Sequence, residues 1–324
     1  MPTLRDAIRQ RPVALLVALA VLGLLASLAF MTVGARGPWS FVLPFRGMKL
    51  AAMALVAYAI AVSTILFQTV TANRILTPSI MGLDTLYVLI QTSLVFLIGS
   101  GAAVALSPST LFLTQVAAMI GFSGLLYMWL FSGRAQSLHL VVLIGLILGV
   151  LFRSLSNLMQ RIMAPNEFAI LQDRLFANFN TIDTDVLAVA ALSVLAVSAY
   201  GWRKIRTFDV LLLGRDPAIA LGVDYKATVS QILIVVAVLV SVSTALVGPT
   251  TFFGLLVASL AYRMTGSERH AFLLPVAALI AILLLVGGQL VLERVFAFDT
   301  ALSIIIEFAG GIAFIFLILR GVSR

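Results

Sequence analysis

Uncharged apolar stretches long enough to cross a bilayer recur along this chain, and they restrict its fold more than any other feature. Between Val13 and Thr32 there is no Asp, Glu, Lys or Arg. A membrane helix takes ~20 such residues to span ~30 Å of hydrocarbon. Charges, Pro/Gly and polar clusters mark off about ten runs, at roughly 13–32, 49–72, 84–100, 110–132, 139–158, 186–202, 227–247, 251–264, 272–292 and 302–319. Hydrophobic residues make up 62% of the 324 and charged ones only 10%, where soluble domains carry about 25% charge. A globule of this length could not bury so much apolar surface. The expected fold is an all-α polytopic membrane protein, a single transmembrane domain over 1–324. The run at 251–264 is short for a crossing, which predicts half-spans or steep packing against neighbours. The first run follows Arg5, Arg9 and Arg11 as a signal peptide would. It is about twice as long as many such segments and lacks a small-residue cleavage site, so it reads as a retained span.

The formal charge is +8. In a soluble protein such a balance would point to nucleic acid. Here the cations sit in short loops between apolar runs, so membrane lipid is the expected partner and nucleic acid is not. With both termini in the cytoplasm, roughly two thirds of the Lys and Arg fall on the inner side, as the positive-inside rule asks. Arg36, Arg46, Lys49, Arg153, Arg161, Arg174 and Arg294 fall outside. Cysteine is absent, which excludes disulfides and thiol chemistry.

Two connecting segments are long. The outer one, 154–185, places Phe168, Leu171 and Leu175 at helical spacing, which predicts a short helix on the membrane surface. The inner one, 203–226, holds two apolar stretches of about six residues, FDVLLL and AIALGV, far too short to span. Gly214 and Gly222 punctuate them, with Asp216 as the expected N-cap and Pro217 as the first helical residue. Two stubby helices at the cytoplasmic face resemble a docking element more than a linker.

No phosphate-binding G-x-x-x-x-G-K-[ST] loop is present, so any ATPase belongs to a separate chain. Ion-coupled carriers keep ionisable residues within their spans. Here Glu307 stands out as the exception, either a relay group or a carboxylate at a helix start. Gly121-Phe122-Ser123-Gly124 resembles the serine motif of rhomboid-type intramembrane proteases, but His139 and His270 are both placed at the cytoplasmic side. The same glycines, with Gly145 and Gly149, also suit close helix approach. No catalytic group and no metal-ligand cluster is expected. Thr64, Gln68 and Thr71 share one helix face, and either line a path or hydrogen-bond between helices.

Four ordered motifs, covering the chain from about Phe45 onward, resemble the FecCD-type permeases of ABC importers for iron–siderophore complexes and cobalamin. Arg46-Gly47-Met48-Lys49 stands where that family has R-L-P-R. QTVTANRILTPSIMGLD is similar to QGLTRNPLADPGLLGIS, with Gln68, Asn73, Pro78 and Gly82 matching. Its NRILTPSIMGLD resembles a subgroup handling catecholate-type siderophores. LLLGRDPAIALGVD is similar to LGEEAARSLGV. GPTTFFGLLVASLA is similar to GPIGFVGLIVPHLAR through Gly248, Pro249, Phe252, Gly254 and Leu255, while Ala258 and Ser259 replace Pro-His. Glu307 aligns with the Glu of E-L-P-V-G.

The resemblance implies a BtuC-like fold with ten spans in the bacterial inner (cytoplasmic) membrane, driven by ABC ATPase subunits. It implies pairing with a second permease, a heterodimer rather than a homodimer. It implies a periplasmic or lipid-anchored siderophore-binding protein, with ATP and Mg on partner subunits and iron only in the cargo. Leu213, Gly214, Arg215, Asp216, Pro217, Ala218, Leu221, Gly222 and Val223 would couple to the ATPase. Arg46, Lys49 and Arg294 would meet carboxylates of the binding protein, or else anchor headgroups. Thr64, Gln68, Thr71, Asn73, Pro78 and Glu307 would mark the path. An ion-coupled secondary transporter of an amphipathic solute is the alternative, and an intramembrane protease a remote one.

Overall fold

A computed structural model describes residues 12–35, 37–132, 138–180, 182–296 and 301–321, and all regular structure among them is helical. The arginines at 5, 9, 11, 36, 134 and 324 lie outside the described residues, as does the side chain of His139. In chain order the helices are α1 (Pro12–Thr32), α2 (Trp39–Thr71), α3 (Leu83–Ala105), α4 (Pro108–Ser132), α5 (Leu138–Ile162), α6 (Pro165–Leu175), α7 (Thr184–Arg203), α8 (Ile205–Leu211), α9 (Arg215–Ala220), α10 (Tyr225–Val247), α11 (Phe253–Thr265), α12 (His270–Arg294) and α13 (Leu302–Gly321). A 3-10 turn, Pro78–Met81, precedes α3.

Among the described residues, 8 helices are long and apolar enough to cross a membrane, and α11 and the part of α13 up to Ile312 are shorter apolar helices. At 1.5 Å per residue, the 13 residues of α11 cover about 20 Å, short of the ~30 Å a full crossing needs. The half-span expected at 251–264 is this helix.

The bundle centres on α2, which packs against both α10 and α12, while α12 also lies against α1. Small buried residues on α2, among them Ala52, Ala57, Ala59, Ala61 and Ser63, let its neighbours come close, the usual basis of helix association without a hydrophobic drive between helices. On the flank, α3 packs on α5, and the 3-10 turn rests on α5 as well. Gly145 and Gly149 face Met81 and Gly82 there, and a Cβ on Gly145 would meet the Met81 Cα at 2.8 Å. The GLILG stripe thus admits a stretch of backbone rather than a side chain. Gly121 and Gly124 differ from that expectation, since a Cβ on either would meet nothing within 4 Å.

The outer connection is mostly ordered helix. Its first residues continue α5 to Ile162, and α6 follows with Pro165 in its first turn. Leu171 is fully buried beside Val95 and Met163 while Phe168 faces out. The expected short helix exists, seated on α3 rather than lying free on a surface. In the inner connection α8 and α9 occupy the two apolar stretches. Asp216 is not the N-cap: α9 starts at Arg215 after Gly214, whose φ of 96° and ψ of 175° turn the chain, and no side chain caps it.

Candidate functional site

Two ends of the bundle can be told apart from the antiparallel course of α2 and α12. At one end, the close of α2 and the start of α12 meet α8. His270 is 0% exposed. Its Nδ1 lies 2.6 Å from Asp209 Oδ1, its backbone N–H donates to the same oxygen at 2.8 Å, and its Nε2 lies 2.8 Å from Thr69 Oγ1. Phe208 meets the imidazole edge-on at 6.4 Å between centroids. A chain of polar contacts therefore runs from α8 through α12 to α2, with His270 and Thr69 buried and Asp209 partly exposed. At the same end Arg74 pairs with Glu268 and stacks over Tyr262 at 4.7 Å.

Beyond this anchor the α8–α9 knuckle projects. Phe208, Leu211 and Ala218 are buried, whereas Leu213, Ile219 and Leu221 are exposed, as are Gly214, Arg215, Asp216, Pro217 and Gly222; Val223 is half-buried. Three large apolar side chains on a short polar loop make a compact adhesive surface. Gly222, like Gly214, has positive φ with open space around it, so backbone conformation rather than crowding calls for glycine there.

At the other end, of the three cations expected to meet a binding protein, Lys49 is buried, Arg46 half-buried and Arg294 exposed, and each is engaged by neighbouring groups. Arg46 donates to the carbonyls of Phe30 (2.5 Å), Val33 (3.0 Å) and Gly34 (3.2 Å), and Arg294 donates to Val33 O at 2.5 Å. Both guanidinium groups thus cap the free carbonyls where α1 ends, where a cation also complements the helix dipole. Lys49 is 8% exposed, donating to Asn180 Oδ1 at 2.8 Å, with Glu293 at 3.9 Å and the Phe45 ring at 4.4 Å. Its ammonium is not displayed on the surface as the spacing suggested.

Between the ends lies a polar cavity. Two irregular segments reach it, the stretch ending in the Pro78–Met81 turn and the Thr250–Thr251 turn before α11. Irregular backbone inside a bundle survives only where it is buried in protein or lines a cavity. A small, partly open space of about 20 Å³ is lined by Thr64, Pro78, Asp84, Ser243 and Thr244 among others. Thr64 Oγ1 presses on Gly254, where a Cβ would have no room. That contact explains the glycine of the GPTTFFG motif. An open cavity of about 420 Å³ adjoins it, sharing Thr77, Ser79, Asp84 and Thr251 and adding Arg153 and Asn157 of α5.

Asp84 is what the sequence reading missed. Glu307 is not alone among the apolar runs: the Asp84 carboxylate is 8% exposed within the bundle, and Glu307, itself exposed on α13, is near enough for their charges to interact. The sequence signal was an Asp two residues after the glycine of IMGLD, at a run boundary where charge is unremarkable.

The structure brings together Thr64 and Pro78 at this cavity. Gln68, Thr71 and Asn73 do not join them. Gln68 Nε2 donates to Arg74 O at 2.8 Å, Thr71 Oγ1 donates to Phe67 O at 2.8 Å, and Asn73 Oδ1 accepts from Ile75 N at 2.9 Å. They shape the turn that ends α2. Ser123 Oγ donates to Met119 O of its own helix at 2.9 Å, and His270 is engaged elsewhere, so no Ser–His pair forms between them.

Residues 12–320 match the model of the FecCD transport family. Two curated relatives are the petrobactin import system permease protein YclO of Bacillus subtilis (strain 168) and FatC of Bacillus anthracis. YclO is 49% identical over 92% of this chain and 96% of its own length, and FatC is 37% identical over 94% and 88%. A solved chain of a metal-chelate type ABC transporter, in an inward-facing conformation, superposes with a TM-score of 0.83 at 21% identity, covering 95% of this chain and 99% of that one. At that identity the likeness is one of fold.

Proposed function

The chain belongs to the FecCD transport family, and from that premise we propose that it conducts a ferric siderophore of the catecholate type into the cell. It is a permease subunit of an ABC importer and not an enzyme. ATP and Mg belong to a separate ATPase, and iron enters as cargo. Petrobactin import by the relatives supports the cargo class. A bulky polar chelate cannot partition through hydrocarbon, so an external source of work and a delivered, concentrated substrate are both required.

The observation that carries the mechanism is the Asp209–His270–Thr69 chain. The exposed apolar side chains of α8–α9 give an ATPase its grip. When nucleotide closure displaces the knuckle, Asp209 pulls on the α12 start through two contacts, and His270 passes the displacement to Thr69 on α2. Thr64 lies between one and two turns further along α2, at the polar cavity. Movement at the knuckle therefore reaches the path without loose joints. In this reading the α8–α9 end is cytoplasmic, with 203–226 as the coupling segment and both termini on that side. The α6 end meets a periplasmic or lipid-anchored binding protein. The second permease completes the conduit, as a heterodimer.

Arg46 and Arg294 keep a docking role only as part of the α1 end they cap, offering charge to carboxylates on an approaching protein. Such charge complementarity chiefly steers encounter. Arg46→Glu is expected to lower binding-protein affinity most at low salt; unchanged affinity with a lowered melting temperature assigns Arg46 to helix capping alone. The function itself is tested by reconstituting the permease pair with its ATPase and binding protein in vesicles. Uptake of a ferric catecholate chelate is expected to require ATP and every component. Uptake by this chain alone, insensitive to ATP, contradicts the proposal.

A further inference from the structure

Asp84 sits in the first turn of α3, immediately after Gly82, whose φ of 84° redirects the chain out of the 3-10 turn. Ser79 and Thr244 line the same small space as its carboxylate, and Oδ2 has no hydrogen-bond partner. The carboxylate belongs to the lining of both the small space of about 20 Å³ and the open cavity of about 420 Å³. Arg153 on α5 lines the open side and acts on Asp84 at longer range, but among the described residues it makes no ion pair with it. Glu307 adds a second negative charge from α13.

A carboxyl oxygen left bare inside a bundle is costly unless a charge or donor meets it. The start of α3 supplies backbone dipole but leaves Oδ2 unmet. The oxygens beside it are hard: the hydroxyls of Ser79 and Thr244, with Thr77 and Thr251 on the shared wall. Such a set suits an alkali cation or an ammonium head and not a soft transition metal. A space of about 20 Å³ holds one occupant about the size of a water, which favours Na+ or a protonated primary amine over a bulkier quaternary ammonium.

We propose that Asp84, with the Ser79 and Thr244 hydroxyls, forms a small monovalent-cation subsite on the wall of the conduit, filled by a free alkali ion or by an ammonium group of the cargo. The inference rests on the reading of these cavities as the transport path. A subsite here would retain a cationic cargo group only weakly, because Arg153 faces it from α5. Weak retention suits a station on a route, where a tight hold would stop release.

The test is a thermal melt of the purified full-length chain in nanodiscs, in choline chloride at fixed ionic strength, titrated with NaCl or with methylammonium chloride. A saturable rise of several °C is expected, since a ligand that binds the folded state alone shifts stability by mass action. Response to Na+ alone assigns a free ion, and response to methylammonium alone assigns a cargo ammonium. Tetramethylammonium is expected to give none. Asp84→Asn should abolish the rise. Thr244→Val should weaken the midpoint about tenfold, equivalent to ~1.4 kcal/mol, and it keeps the proposal testable if the Asn variant does not fold. No shift with either cation in the wild type overturns the proposal, as does a Thr244→Val midpoint equal to the wild type. The melt needs no ATPase or binding protein. Its failure therefore leaves ATP-driven uptake standing, and loss of ATP-dependent uptake alongside a normal cation response overturns the transport reading alone.

Discussion

Thr69, His270 and Asp209 carry the most information per residue. A buried imidazole between a hydroxyl and a carboxylate is fixed in orientation by both. Thr69→Val keeps the shape but removes one end of the chain, leaving a buried ring nitrogen unpaired at a cost of about 1–3 kcal/mol. Expected is a folded complex whose ATP hydrolysis persists while cargo moved per ATP falls several-fold, with Thr69→Ser restoring the ratio. An unchanged ratio in the Val variant removes Thr69 from the linkage. None of this was readable from the sequence. His270 and Thr69 are 201 residues apart, and His270 and Asp209 61, so no local pattern joins them. Lys49 misled for a related reason: i, i+3 spacing with Arg46 says which helix face a cation leaves from, not that Asn180 and Glu293 wait to bury it. Gly214 was readable, because a glycine between two short apolar stretches marks a turn. Its φ of 96° and ψ of 175° lie where other residues are strained by about 1–3 kcal/mol. Gly214→Val is expected to reduce ATPase capture in pulldown while circular dichroism of the spans is unchanged; full capture contradicts the coupling assignment.

At the scale of elements, periodicity and length anticipated the apolar helices, the stubby α8 and α9, the short α11 and the helix within 154–185, although 8 rather than ten are long enough to cross among the described residues and α2 begins at Trp39, ahead of the run at 49–72. They did so because each depends on local composition. What composition could not express was how elements touch. The GLILG stripe suggested helix-on-helix contact, and the partner is instead the backbone at Met81–Gly82. Gly145→Leu is expected to push that turn off α5 and lower the melting temperature by several degrees, in line with ~1–3 kcal/mol for overpacking. Gly121→Leu, in open space, should leave it near the wild type, and equal effects of the two would deny the close approach. Leu213→Asp with Leu221→Asp should abolish ATPase binding without lowering the melting temperature, since both side chains are exposed. Retained binding would move the contact elsewhere.

For the molecule as a whole, the design is a division of labour. A permease with an exposed apolar knuckle at one end, capped helix ends at the other and a polar cavity between them is complete only with a motor and a delivery protein. Family membership was legible because four motifs occur in order. The cavity was not, because Asp84, Thr244 and Thr251 lie far apart in sequence and meet only through two irregular segments. The central claim is that force enters through α8–α9 from the cytoplasm. The chain has no cysteine, so a single Leu213→Cys is a clean probe in the assembled transporter. Labelling of Cys at that position by a membrane-impermeant maleimide is predicted only from the cytoplasmic side, with protection that deepens when the ATPase is present and changes with nucleotide. Labelling from the outer side, or labelling indifferent to the ATPase, contradicts the account.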